Sequence, residues 1–141
     1  FGADRTSFPR KLRDGLADMQ GNACFYCGDR LANRREVDHF LAWSRWPNDA
    51  VENLVIADNC NNAKSDHLAA ADHLDRWAVR MDRHADDLAQ LGIDARWTSD
   101  AARTHGLIVN TYAHIASGTP LWVHDSRFEL AAGPIHLDAV D

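Results

Sequence analysis

VDHFLAWSRWPNDAVENLVIADNCNNAK, residues 37–64, decides how the rest of this 141-residue chain is read. It brings an Asp-His pair, two well-spaced Asn residues and a Lys into a stretch short enough for one supersecondary unit. Val37 to Phe40 reads as a short strand, in which neighbouring side chains point to opposite faces. Asp38 and His39 can therefore serve one site only where the strand ends or bulges. Leu54-Val55-Ile56 reads as a second strand, and Asp58 or Asn59 as the cap of a helix that carries Asn62 and Lys64. Between the strands, residues 40–52 fit neither period and contain the turn cluster Pro47-Asn48-Asp49, so they form a loop. Trp43 and Trp46 are expected to anchor that loop by packing, with stacking on a nucleic-acid base as the alternative.

These residue types suit metal-assisted hydrolysis of a phosphodiester, which needs an activated water, an electrophilic cation and a group that fixes the base in one tautomer. His39 is the expected general base, because a neutral imidazole accepts a proton near pH 7. Asp38 is a hard oxygen ligand suited to Mg²⁺ or Mn²⁺, and the side-chain oxygen of Asn62 completes the protein's share of the shell. A helix starting near Asp58 would aim its N-terminal dipole at the site and favour a bound phosphate. Lys64 lies two residues beyond Asn62 and thus on another helix face, which leaves it either to grip a neighbouring phosphate or to sit solvated on the surface. Taken alone, a His is more often structural and an Asn more often a turn or cap residue. Together, one mechanism accounts for residues that would otherwise need four unrelated explanations.

The pattern Asp38-His39-Phe40, Trp43-Ser44, Pro47, then Asn53-Leu54-Val55 and Ala57, then Asn62, resembles the HNH nuclease family. His39 lies 14 residues before Asn53 and 23 before Asn62, a spacing similar to the family's. The resemblance spans roughly residues 5–77, about half of the chain. It implies an α+β fold with a ββα-metal hairpin-helix core surrounded by helices. It also implies His39 as base, Asn53 as its orienting partner, and Asp38 with Asn62 as ligands of one divalent cation. DNA is the implied substrate, RNA not being excluded, and the implied settings are restriction, homing or defence against phage. The rival is a non-catalytic nucleic-acid-binding module on the same scaffold, and a third reading is a structural knuckle for protein contacts.

Upstream, Cys24-Phe25-Tyr26-Cys27 is a C-x-x-C knuckle, and Cys60 makes a third cysteine. An odd count suits a reduced cytoplasmic metal site better than a disulfide framework. Structural Zn²⁺ wants four ligands, and where many HNH proteins carry another cysteine this chain has Ala57. Asp58 or His67 could supply the fourth ligand, and metal-free packing of three small thiols is the alternative.

The net charge is −6, which argues against attraction of nucleic acid by the whole surface. The charge is uneven, however. Through Lys64 there are nine basic and nine acidic residues, and beyond it six and twelve. Arg5, Arg10, Lys11, Arg13, Arg30, Arg34, Arg35 and Arg45 are the candidates for a local basic surface, with Lys64, Arg45 and Arg35 nearest the site. Each, taken singly, is more ordinarily a solvated side chain.

Length and 45% hydrophobic content suit one domain able to bury a core, and no run is long and apolar enough to span a bilayer. A chain beginning at Phe1 without a leader pattern is expected to be part of a longer cytoplasmic protein with other domains. Residues 1–77 are expected to hold the nuclease core, with an N-terminal arm, a start signal at Ser7 or Phe8 before Pro9, and a helix that Gly21-Asn22 ends. Residues 78–141 read as a mainly helical extension. Leu68, Ala71, Leu74, Trp77, Met81 and Leu88 mark one long helix or two, ending at Gly92. His67, His73 and His84 on or near it read as surface or packing groups. Thr98-Ser99-Asp100 caps a further helix to about Ser117, LWVHDSRFEL alternates partly as a strand, and GPIHLDAVD reads as frayed.

Overall fold

A computed structural model describes residues 8–137, so the expectations for the arm, for Ser7, for Arg5 and for the last four residues lie outside the described residues. The first helix, α1 (Arg10–Met19), buries Leu12, Leu16 and Ala17 along one stripe. It stops where Gly21 and Asn22 take positive φ, 65° and 58°, the left-handed turn that sends the chain into the knuckle. Before that turn, the Gln20 side chain bonds both backbone groups of Ile56: Nε2 donates to the carbonyl at 2.9 Å and Oε1 accepts from the amide at 2.9 Å. That amide also docks α1 on the free edge of the hairpin's second strand.

β1 (Glu36–His39) and β2 (Leu54–Ala57) form the antiparallel hairpin, with Asp38 opposite Val55 and His39 opposite Leu54. β2 is wholly buried whereas β1 is half-buried throughout, because β2 lies between α1 and the core while β1 faces outwards on one side. The 3-10 turn Val51–Asn53 leads into β2, and α2 (Cys60–Lys64) follows it. The architecture is thus mixed α+β, with a hairpin and a short helix where the sequence puts them.

After α2 the chain departs from the expected pattern. Leu68 and Ala69, expected at the start of a helical stripe, form a two-residue strand, β3, parallel to β4 (Pro120–His124). β4 turns back through Asp125 into β5 (Arg127–Leu130), so LWVHDSRFEL is two antiparallel strands rather than one. The reading of Gly92 as a stop is also corrected. α3 (Ala71–Ala95) runs through it, breaks helical geometry at His84, and ends with Arg96 in the left-handed conformation. At Gly92 a Cβ would come within 3.1 Å of the Trp97 carbonyl, so the glycine serves close packing and not termination. α4 (Ala101–Ala113) is capped as expected by the Asp100 side chain, which accepts from the Arg103 amide at 3.0 Å. The tail through Leu137 is docked rather than frayed, with the Ile135 amide bonded to the Tyr112 carbonyl.

The C-terminal elements converge on residues 48–54. Trp77 is fully buried and donates to the Glu52 carbonyl, while Arg80 donates to the carbonyls of Leu54 and Glu52. The buried Glu52 carboxylate accepts from the Ser99 hydroxyl and the Asp100 amide. Among the described residues, no helix is long and apolar enough to cross a membrane. Trp77→Ala is expected to cost about 3–5 kcal/mol, a large share of the roughly 5–15 kcal/mol that holds a domain together, measured as a shift in the urea unfolding midpoint.

Candidate metal centre and active site

Two residues of β1 and two of α2 face one another. Glu36 and Asp38 are two apart on a strand and share a face, while Asn61 and Lys64 are three apart on a helix and share a face. Asn61 Nδ2 donates to Glu36 Oε1 at 2.8 Å, and Lys64 Nζ lies 3.5 Å from Asp38 Oδ2. The same carboxylate oxygen accepts from the Tyr26 hydroxyl at 2.5 Å. Burial, and next the charge of Asp38, hold the Tyr26 hydroxyl well above its ordinary range, so it remains a neutral donor. Asp38 Oδ1 has no hydrogen bond among the described residues, which leaves one hard oxygen for a ligand.

The expectation that Lys64 reaches a phosphate does not hold. Its side chain is 0% exposed, its ammonium donates to the His39 carbonyl at 3.2 Å, and it balances Asp38. A helix of one turn explains this, since its final residue folds under the hairpin before the chain turns away at Ser65, φ 52°. The same brevity removes the expected dipole-bound phosphate at the N-terminus of α2. There, Asp58 Oδ1 accepts from the amides of Asn59 and Cys60 instead.

The two Asn residues of α2 differ. Asn62, the expected ligand, is exposed and donates to the Asn59 side chain at 2.8 Å. Asn61 is buried, and its Oδ1 has no hydrogen-bond partner. An orphaned buried amide oxygen costs about 1–3 kcal/mol unless something occupies it. It adjoins a cleft of about 360 Å³ lined by Arg13, Arg35, Glu36, Val37, Asn61 and Asn62. Arg35 is held there by Asp14 and Asn22, whereas Arg45 lies outside that cleft, stacked on Trp46 and donating to the Asp66 carbonyl.

His39 closes β1, and among the described residues its ring shares no hydrogen-bond partner with the Asp38 carboxylate. Its Nε2 lies 2.8 Å from Asp49 Oδ1, and its ring packs near Phe8 and Trp43. Asn53, expected to orient this ring, makes no hydrogen bond to it among the described residues. Its Oδ1 accepts from the Leu41 amide, and its Nδ2 donates to the carbonyls of Leu41 and Asn48 at 3.1 and 2.9 Å. Asn53 thus closes the loop that carries Asp49. Sequence reasoning missed Asp49 because Pro47-Asn48-Asp49 looks like turn chemistry, and nothing in spacing tells a turn aspartate from one aimed back at a strand.

The cysteines form a second cluster. Ligand atoms of Cys24, Cys27, Asp58 and Cys60 all lie within 4.8 Å of one another, so Asp58 stands where a fourth donor would, whereas His67 is bonded to the Lys64 carbonyl. Tetrahedral zinc with thiolates at about 2.3 Å separates its ligands by ~3.8 Å, so a modest contraction would close the shell. Three soft donors and one carboxylate fit Zn²⁺ far better than Mg²⁺. Burial pushes the Cys27 thiol up to about 11 and Cys60 higher still. Burial opposes the charge of Asp58 too, but hydrogen bonds from the Asn59 and Cys60 amides outweigh it and pull the carboxyl down to about 2.

What the geometry defines is an α+β protein with two sets of metal-type donors, hard oxygens on the hairpin and α2, soft sulfurs at the knuckle. Residues 24–70, about a third of the chain, match the family model described as HNH endonuclease, so this stretch is similar to that family. The match runs from the knuckle through β3 and the first residue beyond it, Ala70. No curated protein matches the chain.

Because Cys27 and Cys60 carry protons at neutral pH, loading a thiophilic cation must release them. Affinity for Zn²⁺, measured against a competing chelator, is expected to fall by about tenfold for each unit by which the pH is lowered, for each thiol that must ionise. Cys60→Ala is expected to abolish stoichiometric zinc and Asp58→Ala to weaken it, read by elemental analysis. Equal zinc in wild type and Cys60→Ala would rule the cluster out.

Proposed function

We propose that this chain is a divalent-metal-dependent endonuclease that hydrolyses phosphodiester bonds in DNA. The observation that carries this reading is the pairing of His39 Nε2 with Asp49 inside the HNH-matched segment, because it leaves Nδ1 as the ring's basic nitrogen. Asp38 would hold a Mg²⁺ or Mn²⁺ ion through its unengaged oxygen. An Asn of α2 would hold it too, and the buried, unpartnered oxygen of Asn61 supports that residue over Asn62. When bound, such an ion supplies Lewis-acid stabilisation of charge developing on the phosphate.

The chain's own residues do the rest. His39 takes a proton at Nδ1 from the attacking water, the oxygen bonds to phosphorus, the opposite P–O bond breaks, and the leaving oxygen takes a proton from solvent to become a hydroxyl end. Lys64 compensates the Asp38 carboxylate and ties α2 to the end of β1, so the two sides of the site move together. Arg35, at the edge of the cleft, and Arg45, exposed on the loop, would contact the backbone of the nucleic acid. Zn²⁺ held by Cys24, Cys27, Asp58 and Cys60 would be structural. Three free thiols suit a reducing compartment such as the cytoplasm, and the family match suits the nuclease part of a larger restriction- or defence-type protein.

One observation favours the second reading, a nucleic-acid-binding module without catalysis: Asp38 already has a cation, Lys64, beside it. Supercoiled plasmid separates the two. Nicking with Mg²⁺ or Mn²⁺ that EDTA stops is expected, with a loss of at least ~100-fold in His39→Ala. Asn61→Ala should raise the metal concentration needed and Asn62→Ala should not; the reverse result returns the ligand role to Asn62. Binding of DNA with no nicking under any cation would establish the module, and cleavage of RNA alone would move the substrate.

A further inference from the structure

We propose that Asp49 is the positioning residue for His39, and that the C-terminal half of the chain exists in part to hold it there. This deepens the nuclease reading and rests on it. The His39 side chain is 14% exposed, and among the described residues the only hydrogen bond to its ring is the one with Asp49, 2.8 Å from Nε2. A carboxylate can only accept there, so the ring nitrogen that donates is Nε2, and Nδ1 keeps its lone pair. Packing against Phe8 and Trp43 limits tilting of the ring, but aromatic faces do not select a tautomer. Asp49 does. The neighbouring Asp38 is turned to Tyr26 and Lys64 and offers the imidazole nothing.

Asp49 is itself fixed through backbone on both sides. Its carbonyl accepts from Trp97 Nε1 at 2.7 Å, and the Val51 amide donates to the Thr98 carbonyl at 2.9 Å. The preceding Asn48 gives its carbonyl to Asn53 Nδ2 and its own Nδ2 to the Thr104 hydroxyl. Trp97, Thr98 and Thr104 lie outside the HNH-matched residues, between and within the two helices that follow it. Those helices thus reach the base through a loop that touches both.

The test uses the full chain, zinc-loaded, as wild type, Asp49→Ala and Asp49→Asn. In wild type the Nε2 proton of His39 should give a resolved NMR resonance that exchanges slowly with water. It should vanish in Asp49→Ala and persist in Asp49→Asn, whose amide oxygen still accepts. In plasmid cleavage, Asp49→Ala should lower kcat by about 10–100-fold with KM and the half-saturating Mg²⁺ concentration within twofold of wild type, and Asp49→Asn should recover most of the loss. A purely structural role would instead lower Tm and raise KM, and Asp49→Asn, which keeps the fold, guards against that confusion. Survival of the Nε2 proton signal in Asp49→Ala, or wild-type kcat in that variant, overturns the proposal. If the wild-type chain cleaves no nucleic acid, the nuclease reading falls, while the ring resonance still decides whether Asp49 holds His39.

Discussion

The side-chain amide of Asn53 is the interaction on which the rest depends. It is fully buried, and every bond it makes goes to the backbone of the loop between the two strands: Leu41 on one side, Asn48 on the other. Its own backbone continues the ladder, with its carbonyl accepting from the Phe40 amide at 2.7 Å. The strand connection is long and irregular, and without an internal cross-link its backbone groups would have no partner away from water. One amide provides that cross-link, because it alone among small side chains offers both donor and acceptor in a plane. The register of the hairpin, the placing of His39 at a strand end and the return of Asp49 towards it follow from that closure.

What the sequence revealed was largely what local chemistry dictates. The hairpin strands, the loop between them, the α1 stop at Gly21-Asn22 and the Asp100 cap are short-range signals, and the structure has each. The misreadings are long-range. β3 is two residues with no periodicity of their own, and it becomes a strand only because β4, some fifty residues on, supplies the ladder. Gly92 has the composition of a helix stop but is required by the approach of Trp97 and Ser99. Lys64 looks like a surface lysine because its sequence neighbours are polar. It is buried because Asp38 and the His39 carbonyl from β1 and Tyr26 from the knuckle converge on it.

The same division runs through the site. Asp38 and His39 stand out in the sequence only together with the two Asn residues that follow at the family-like spacing. Their partners do not stand out. Tyr26 sits inside the C-x-x-C knuckle and reads as filler between cysteines, Asp49 reads as a turn residue, and Asp58 competes with His67 on spacing alone. Partners of this kind come from loops whose conformation is set by tertiary contacts, and loop geometry is the part of a structure least determined by its own residues.

α2 draws the two donor sets into one device. Cys60 at its start belongs to the sulfur cluster, while Asn61 and Lys64 lie over the carboxylates of β1. A five-residue helix makes too few internal hydrogen bonds to persist alone, so its position is dictated by what grips its ends. One end is held by Asp58, whose carboxylate caps the first amides and also lies 3.4 Å from the Cys27 sulfur. The other is held by Lys64 against Asp38. Protonated thiols at the first end leave the helix tied by weak contacts, whereas a cation shared by four ligands would fix it to the knuckle and, through α2, fix the amide oxygen of Asn61 relative to Asp38. Cys60 and Asn61 are adjacent, so whatever fixes the sulfur end of α2 also bears on where the amide oxygen of Asn61 lies relative to the strand.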